Sequence, residues 1–555
     1  VAFLILTLVK ISYNSSILLY IVRLDRINLF LGYRGINLTS VSEKSVNKIN
    51  FRFLTAGLVL GTIVAAGVYL LFSVLATPLG FPLDDAWIHQ VFARNIARLG
   101  EFSYNPGQVV AGSTSPLWTI LLVPAYWFGD ALYMGWAFGL GIAFLVLAAL
   151  EVYRLYILLF PNAKPVWAVA AAVLIIFEWR LTWASISGME VTLFTFGTLW
   201  LLRLYLVTSL AEKSGTVTFF LPFRYISLGL IGGMIALVRP EGLVLFGLVG
   251  LDVARRVFMD KYGWQWLAVR WLWLGVAALV FVTPYLIFNY VTSNSLLPNT
   301  FGAKVGFYGN AFSPAVILDY LGQAFSLIFR FLLAIVPGLL FILADMIRKP
   351  RQYNWLPLFW AAVLLGLYAV RLPVLYHEGR YVMPLIPIFI LYGVYGSERL
   401  LNMLRLGSLP LLARILPVLG LVLIGYSWLN GMFTYRFDVK YINDEQVTVG
   451  KWLRDNTPQG AVVATHDIGA IRYFSGRKLI DTAGLVSPEF VPIVRDQPAI
   501  LAKAKAQGAT YFALLPTWYP EINAELEQAG LKVFQPQETY LAQFGEQNMA
   551  VFRLP

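Results

Sequence analysis

Apolar positions along most of this chain come in long uncharged runs rather than at the spacing of an amphipathic helix or a half-buried strand. Runs at 53 to 77, 190 to 207, 225 to 238, 241 to 254, 271 to 291, 323 to 345, 355 to 371, 382 to 397 and 415 to 433 are rich in Gly and Ala. Each reads as all or part of a membrane-spanning helix, which needs about 20 apolar residues. Trp or Tyr stands near several run ends, where interfacial anchors sit. The stretch 112 to 187 adds apolar pieces at 116 to 129, 131 to 150 and 165 to 178. These predict two crossings, one of them broken, and about eleven in the whole chain. Such continuous runs exclude a transmembrane β-barrel, whose strands are alternating segments of about ten residues.

The pattern changes at both ends. Residues 1 to 22 are apolar but interrupted by Lys10 and by Ser12-Tyr13-Asn14-Ser15-Ser16, and basic residues follow them rather than precede them. They make a poor signal peptide and a marginal span, and 1–52 is read as an N-terminal segment on the cytoplasmic side. From residue 438 onward, short strand-like runs, Ala461-Val462-Val463-Ala464 and Thr510 to Leu515, alternate with helical stretches ending at Asn456 and running from Glu521 to Ala529. That alternation predicts a soluble α/β domain over 438–555, appended to a helical membrane domain over 53–437.

Composition agrees: 59% of residues are hydrophobic and 13% charged, against about 45–50% and about 25% in ordinary soluble domains. The mean hydropathy is +0.69. The absence of Cys excludes disulfides, thiolate metal sites and cysteine nucleophiles. A net charge of +12 is what cytoplasmic loops of a polytopic protein carry, so nucleic acid is not a partner on this reading; the membrane lipids are. The basic clusters Arg23 to Arg52, Arg255 to Lys261, Arg348 to Arg351 and Arg399 to Arg414 mark the inner loops. The loops 78 to 115, 292 to 322 and 372 to 381, with everything after 433, then lie outside the cytoplasmic (inner) membrane. All three histidines, His89, His377 and His466, fall on that outer side.

The first outer loop, 78–115, is long for a connector and holds Asp84-Asp85-Ala86-Trp87-Ile88-His89. The plain reading is that the two aspartates start a short helix, whose first turn favours carboxylates. The functional reading is a general base at the membrane surface, with Asp85 and His89 four apart on one helical face. Adjacent aspartates cannot flank a glycosidic bond as hydrolase carboxyls do, since those stand about 5 to 9.5 Å apart. One base suffices when the leaving group is a phosphate, provided cations hold the departing charge. Candidate cations are Lys304, Arg380 in His377-Glu378-Gly379-Arg380-Tyr381, and Arg239 in Arg239-Pro240-Glu241-Gly242. Ionisable groups within apolar segments are functional candidates, although Arg239 has Glu241 or Glu190 as pairing partners and Arg380 and Lys304 have lipid headgroups to reach. Ser115-Pro116 reads as a plain helix start. His466-Asp467 has no further metal ligands in view and reads as a structural turn.

Taken in order, Asp84 to His89, Tyr104-Asn105-Pro106-Gly107, Gly112 to Trp118, Ser187-Gly188-Met189-Glu190, Arg239 to Gly242, Pro298-Asn299-Thr300-Phe301 with Lys304, and Gly379-Arg380-Tyr381 resemble the polytopic GT-C glycosyltransferases. The nearest type is the mycobacterial terminal arabinofuranosyltransferase, with protein O-mannosyltransferases and lipid A aminoarabinose transferases more distant. The resemblance implies inverting transfer of a sugar from a polyprenyl-phosphate donor to an extracytoplasmic glycan, lipid or protein acceptor. By position, Asp84 would be the base and Asp85 its neighbour, with Arg380, Lys304 and Arg239 on the donor phosphate. His89, Glu190, Glu241, His377 and Tyr381 would support them. Some members of the family use a divalent cation and others no cofactor, which leaves a metal open. The competing class is a secondary transporter or flippase of lipid-linked sugars, which would place its charges on broken helices near the midplane, as Arg239-Pro240-Glu241 can be read.

Overall fold

The structure is a computed structural model that describes residues 50–213, 221–259, 262–296, 298–299, 302–303, 313–330, 332–406, 409–537 and 547–555. Lys304, Thr300, Phe301 and the segment 1 to 22 lie outside the described residues.

The membrane domain opens with α1 (Phe51–Val74) and the loop helix α2 (Asp84–Leu99), followed by a small antiparallel hairpin of β1 (Ser103–Asn105) and β2 (Gln108–Val109). Next come α3 (Tyr133–Leu159), α4 (Pro165–Phe177), α5 (Trp179–Ser185), α6 (Val191–Lys213), α7 (Leu221–Val238), α8 (Gly242–Met259) and α9 (Trp264–Ser293). After two shorter helices, Pro314–Arg330 and Val336–Arg348, the domain ends with α10 (Leu356–Arg371), α11 (Ile386–Leu406) and the long α12 (Pro410–Ile442). Small residues let some of these helices touch at the backbone. A Cβ on Gly229 of α7 would stand 2.4 Å from the Leu274 carbonyl of α9.

Seven helices among the described residues are long and apolar enough to cross a membrane, and α4 with α5, bent by 60°, makes an eighth if the pair is one span. This corrects the expected number of about eleven crossings. Apolar length along the chain overstates the spans for local reasons. The run 323 to 345 is divided between two helices of 17 and 13 residues, α10 has 16 residues, and α8 carries Asp252, Arg255 and Arg256 in its second half.

The C-terminal domain is built on a five-stranded sheet of order β4-β3-β5-β7-β6: β3 (Val462–Thr465), β4 (Lys478–Asp481), β5 (Tyr511–Leu514), β6 (Lys532–Phe534) and β7 (Ala550–Arg553). Strand β3 pairs in parallel with β4 and β5, and β7 runs antiparallel to both β5 and β6. Helices α13 (Gly469–Ser475), α14 (Gln497–Ala506) and α15 (Pro520–Gln528) connect the first four strands in sequence. The period-2 alternation of strands sorts the core into two faces. Ala464, Ile480, Phe512, Leu514 and Phe552 pack under Ile500 and Leu501 of α14 and Ile522 and Leu526 of α15. Val463, Leu479, Tyr511, Ala513 and Val551 face the other way and form one cluster with Ile88, Val91 and Phe92 of α2. The loop helix α2 and the C-terminal domain therefore share a hydrophobic core.

Candidate active site

Helix α2 begins with both aspartates in its first turn and stops at Gly100, whose φ of 72° lets its N–H close on the Ile96 carbonyl. Successive helical residues point about 100° apart, and the two carboxylates meet different partners. Asp85 lines a cavity of about 490 Å³ between α2, the 112–114 segment, the α7–α8 break and the end of α10, and it is ion-paired with Arg380. Asp84 is buried on the other side. Its two oxygens accept the N–H groups of Gly469 (2.6 Å) and Ala470 (2.7 Å) from the soluble domain. Burial and the nearby Asp467 charge push the Asp84 carboxyl well above the usual carboxylate range, against the pull of the two amide bonds.

Three guanidiniums border the same cavity, the buried Arg239 and Arg380 and the exposed Arg371. Arg380 is brought in by a tight turn, in which His377 (φ 47°), Glu378 (φ 58°) and Gly379 (φ 74°) are consecutively left-handed. Two non-glycine residues held there carry strain of order 1–3 kcal/mol each. Arg239 follows the end of α7, where Pro240 stops the helix. Tyr381 lies between the two cations, its ring centre 5.2 Å from the Arg380 guanidinium carbon and 4.9 Å from that of Arg239. Arg239 is further held by the Tyr368 hydroxyl (3.4 Å), which itself donates to Glu241 (2.7 Å). Both arginines are 4% exposed, and one Nη1 atom of each is buried with no hydrogen-bond partner among the described residues. Buried donors of that kind are normally satisfied.

Glu190 joins these groups, 3.8 Å from Arg239 and 3.9 Å from His89. It is set in place by Gly188, whose φ of 76° turns the chain and whose carbonyl accepts the Trp118 indole N–H at 2.9 Å. His89 holds Thr119 at 2.8 Å, and Thr119 in turn contacts Ser113 at 3.2 Å.

The structure thus brings together Asp85, His89, Glu190, Arg239, Glu241, Arg380 and Tyr381 around one cavity, while Asp84 and His377 are not among its lining residues. The sequence does not mark out Tyr368, near the end of the apolar run 355 to 371, or the domain residue Leu485, and it gives the domain residues Gly469 and Ala470 only as part of the run from His466 that reads as a structural turn. The first of these domain residues lines the cavity and the other two hold Asp84. His466 is buried in the domain, stacked on Trp518 at 5.0 Å, and burial keeps its pKa low. Among the described residues no group of three or more His, Cys, Asp or Glu side chains converges as a metal site would require.

Comparison with known proteins bears on the fold. Residues 438–552 match a family described as Domain of unknown function (DUF8728). No curated protein matches the chain. The solved structure of ArnT from Cupriavidus metallidurans bound to undecaprenyl phosphate is similar with a TM-score of 0.56 and 15% identity, covering 90% of this chain and 98% of that one. The archaeal oligosaccharyltransferase AglB from Archaeoglobus fulgidus, in complex with an inhibitory peptide and a dolichol-phosphate, gives 0.54 and 13%, covering 82% and 69%. The same oligosaccharyltransferase in complex with Zn and sulfate gives 0.54 and 14%, covering 82% and 68%. The fold is GT-C-like: a polytopic helical membrane domain that carries an α/β domain at its C-terminus.

Proposed function

We propose that the chain is an inverting glycosyltransferase, taking a sugar from a polyprenyl-phosphate donor and passing it to a hydroxyl of a glycan, lipid or protein acceptor outside the cytoplasmic membrane. The observation that carries this is the pair of buried arginines, each ion-paired to a carboxylate yet with an Nη1 that makes no hydrogen bond among the described residues, bordering one cavity beside the Asp85 carboxylate. Buried guanidinium N–H groups that make no hydrogen bond can take further acceptors, and an arginine pair suits phosphate oxygens. Two of the similar structures were solved with lipid phosphates, dolichol-phosphate in one and undecaprenyl phosphate in the other.

The chemistry follows from that arrangement. Donor phosphate draws Arg380 away from Asp85 and leaves the carboxylate free to act as base. Asp85 takes the acceptor hydroxyl proton as the oxygen attacks the anomeric carbon. The bond from that carbon to the phosphate oxygen breaks, and its electron pair stays on the phosphate, held by Arg380 and Arg239. A single displacement from the opposite face inverts the anomeric centre. Polyprenyl phosphate and the glycosylated acceptor are the products. Between the neighbouring aspartates the geometry favours Asp85 as the base, with His89 and Glu190 fixing the polar wall beside it. An arabinofuranosyl donor, as in the mycobacterial type, is one member of the sugar class to be tried.

Purified protein in nanodiscs, given a panel of polyprenyl-phosphate pentoses, hexoses and aminopentoses, should release polyprenyl phosphate with at least one of them. Arg380→Gln and Arg239→Gln should each raise the donor KM about tenfold or more, the loss of a charge-assisted hydrogen bond. Movement of lipid-linked sugar between leaflets with no phosphate released from any donor would contradict the transferase and favour the flippase.

A further inference from the structure

Two features of the soluble domain go beyond this assignment. Its β3–α13 loop reaches into the first turn of α2, and its β4 loop reaches the cavity itself. The amides of Gly469 and Ala470 hold both oxygens of Asp84, and the Tyr104 hydroxyl donates to the Ile468 carbonyl at 2.5 Å. The approach leaves no room for a side chain: a Cβ on Gly469 would stand 2.1 Å from the Asp84 carbonyl oxygen. Asn105 extends the contact by pairing through its side-chain amide with both the N–H (3.1 Å) and the C=O (3.0 Å) of Leu479 on edge strand β4. Asp481, the last residue of β4, accepts the N–H groups of Ala483 (2.9 Å) and Val486 (2.6 Å), a closed loop that carries Leu485 to the cavity wall.

We infer that Asp84 is a positioning residue, and that the soluble domain acts through it to orient Asp85. The domain is then a working part of the catalytic centre rather than a tethered module that only presents an acceptor. This rests on the glycosyltransferase reading. The bonds at Asp84 fix where α2 starts and how its first turn is rotated. Asp85 is the next residue, so a loosened latch swings its carboxylate relative to Arg380. A displacement of about 1 Å at a reacting group costs up to about a hundredfold in rate.

The test uses the full chain with three variants: Asp84→Asn, Gly469→Ala, and Tyr104→Phe, which removes one bond to the same loop without overlap and guards against misfolding of the other two. In Asp84→Asn, backbone amides over 84–88 and 469–472 should exchange hydrogen about tenfold faster than in the wild type. With a donor that the wild type turns over, Asp84→Asn and Gly469→Ala should lower kcat about 10- to 100-fold, with donor KM within about twofold. Tyr104→Phe should show the same split to a smaller degree. The acid limb of the kcat–pH profile should persist in Asp84→Asn, because the proposed base, Asp85, is retained. Loss of that limb would make Asp84 the chemical base and overturn the inference, as would unchanged exchange or a faster exchange with kcat intact. If the wild type turns over no donor, the glycosyltransferase reading fails by itself, and the exchange result alone decides whether the latch holds α2.

Discussion

Asp84 and Asp85 are adjacent and chemically identical, and the fold gives them opposite surroundings. One accepts two amides from residues 385 and 386 positions away; the other sits 31% exposed on a cavity against a guanidinium. The sequence made the pair, and Arg239, Glu190 and Arg380, conspicuous, because ionisable groups beside apolar runs are costly unless used. It could not say which carboxylate faces the cavity, since the partner that claims Asp84 comes from another domain. Gly379 is a residue of the same kind, needed for its conformation and not its chemistry. Its φ of 74° strains any residue with a side chain, and an added Cβ, 2.1 Å from Leu327 Cδ2, would push that side chain aside. Gly379→Ala should cost about 1–3 kcal/mol of stability and weaken donor binding by displacing Arg380. Thermal unfolding and a donor titration read the two effects separately.

At the scale of elements, the breaks matter more than the spans. The polar groups of the cavity sit where helices end: the first turn of α2, the turn before α6, the α7–α8 break and the strained turn before Tyr381. Counting apolar residues found the membrane helices but overcounted crossings, because hydropathy does not register a bend such as the 60° between α4 and α5. The α7–α8 break was visible as Arg239-Pro240-Glu241, whereas its lock was not: Tyr368 arrives from α10, more than a hundred residues on. Tyr368→Phe removes the hydroxyl that ties Arg239 to Glu241. The expected result is a donor KM raised about three- to tenfold with kcat little changed, the size of one hydrogen bond. A drop in kcat alone would place Tyr368 in the chemical step instead.

At the scale of the molecule, strands alternating with helices in the C-terminal part of the sequence indicated the α/β class of the domain there. Its docking was not legible, since the face that packs on α2 carries the same Val, Leu and Tyr residues as any strand core. The loop that brings Leu485 to the cavity closes on Asp481, whose pKa is pushed up to about 6 by burial, against the amides it accepts. A carboxyl raised on folding binds its proton more tightly in the native state, so its contribution is full below about pH 4 and is lost as pH rises toward about 6. The stability difference between wild type and Asp481→Asn should therefore vary with pH between about 4 and 6 and level off above. A difference that stays constant over that window would contradict the buried environment of Asp481.

In the proposed reaction sugar leaves a lipid phosphate in the cavity bordered by Asp85, Arg239 and Arg380. The most direct measurement is single-turnover release of polyprenyl phosphate from the best donor by the wild type, Asp85→Asn and Asp84→Asn. The account predicts release by the wild type, a loss of about a thousandfold or more in Asp85→Asn with donor still bound, and an intermediate rate in Asp84→Asn. Release by Asp85→Asn at the wild-type rate would contradict it.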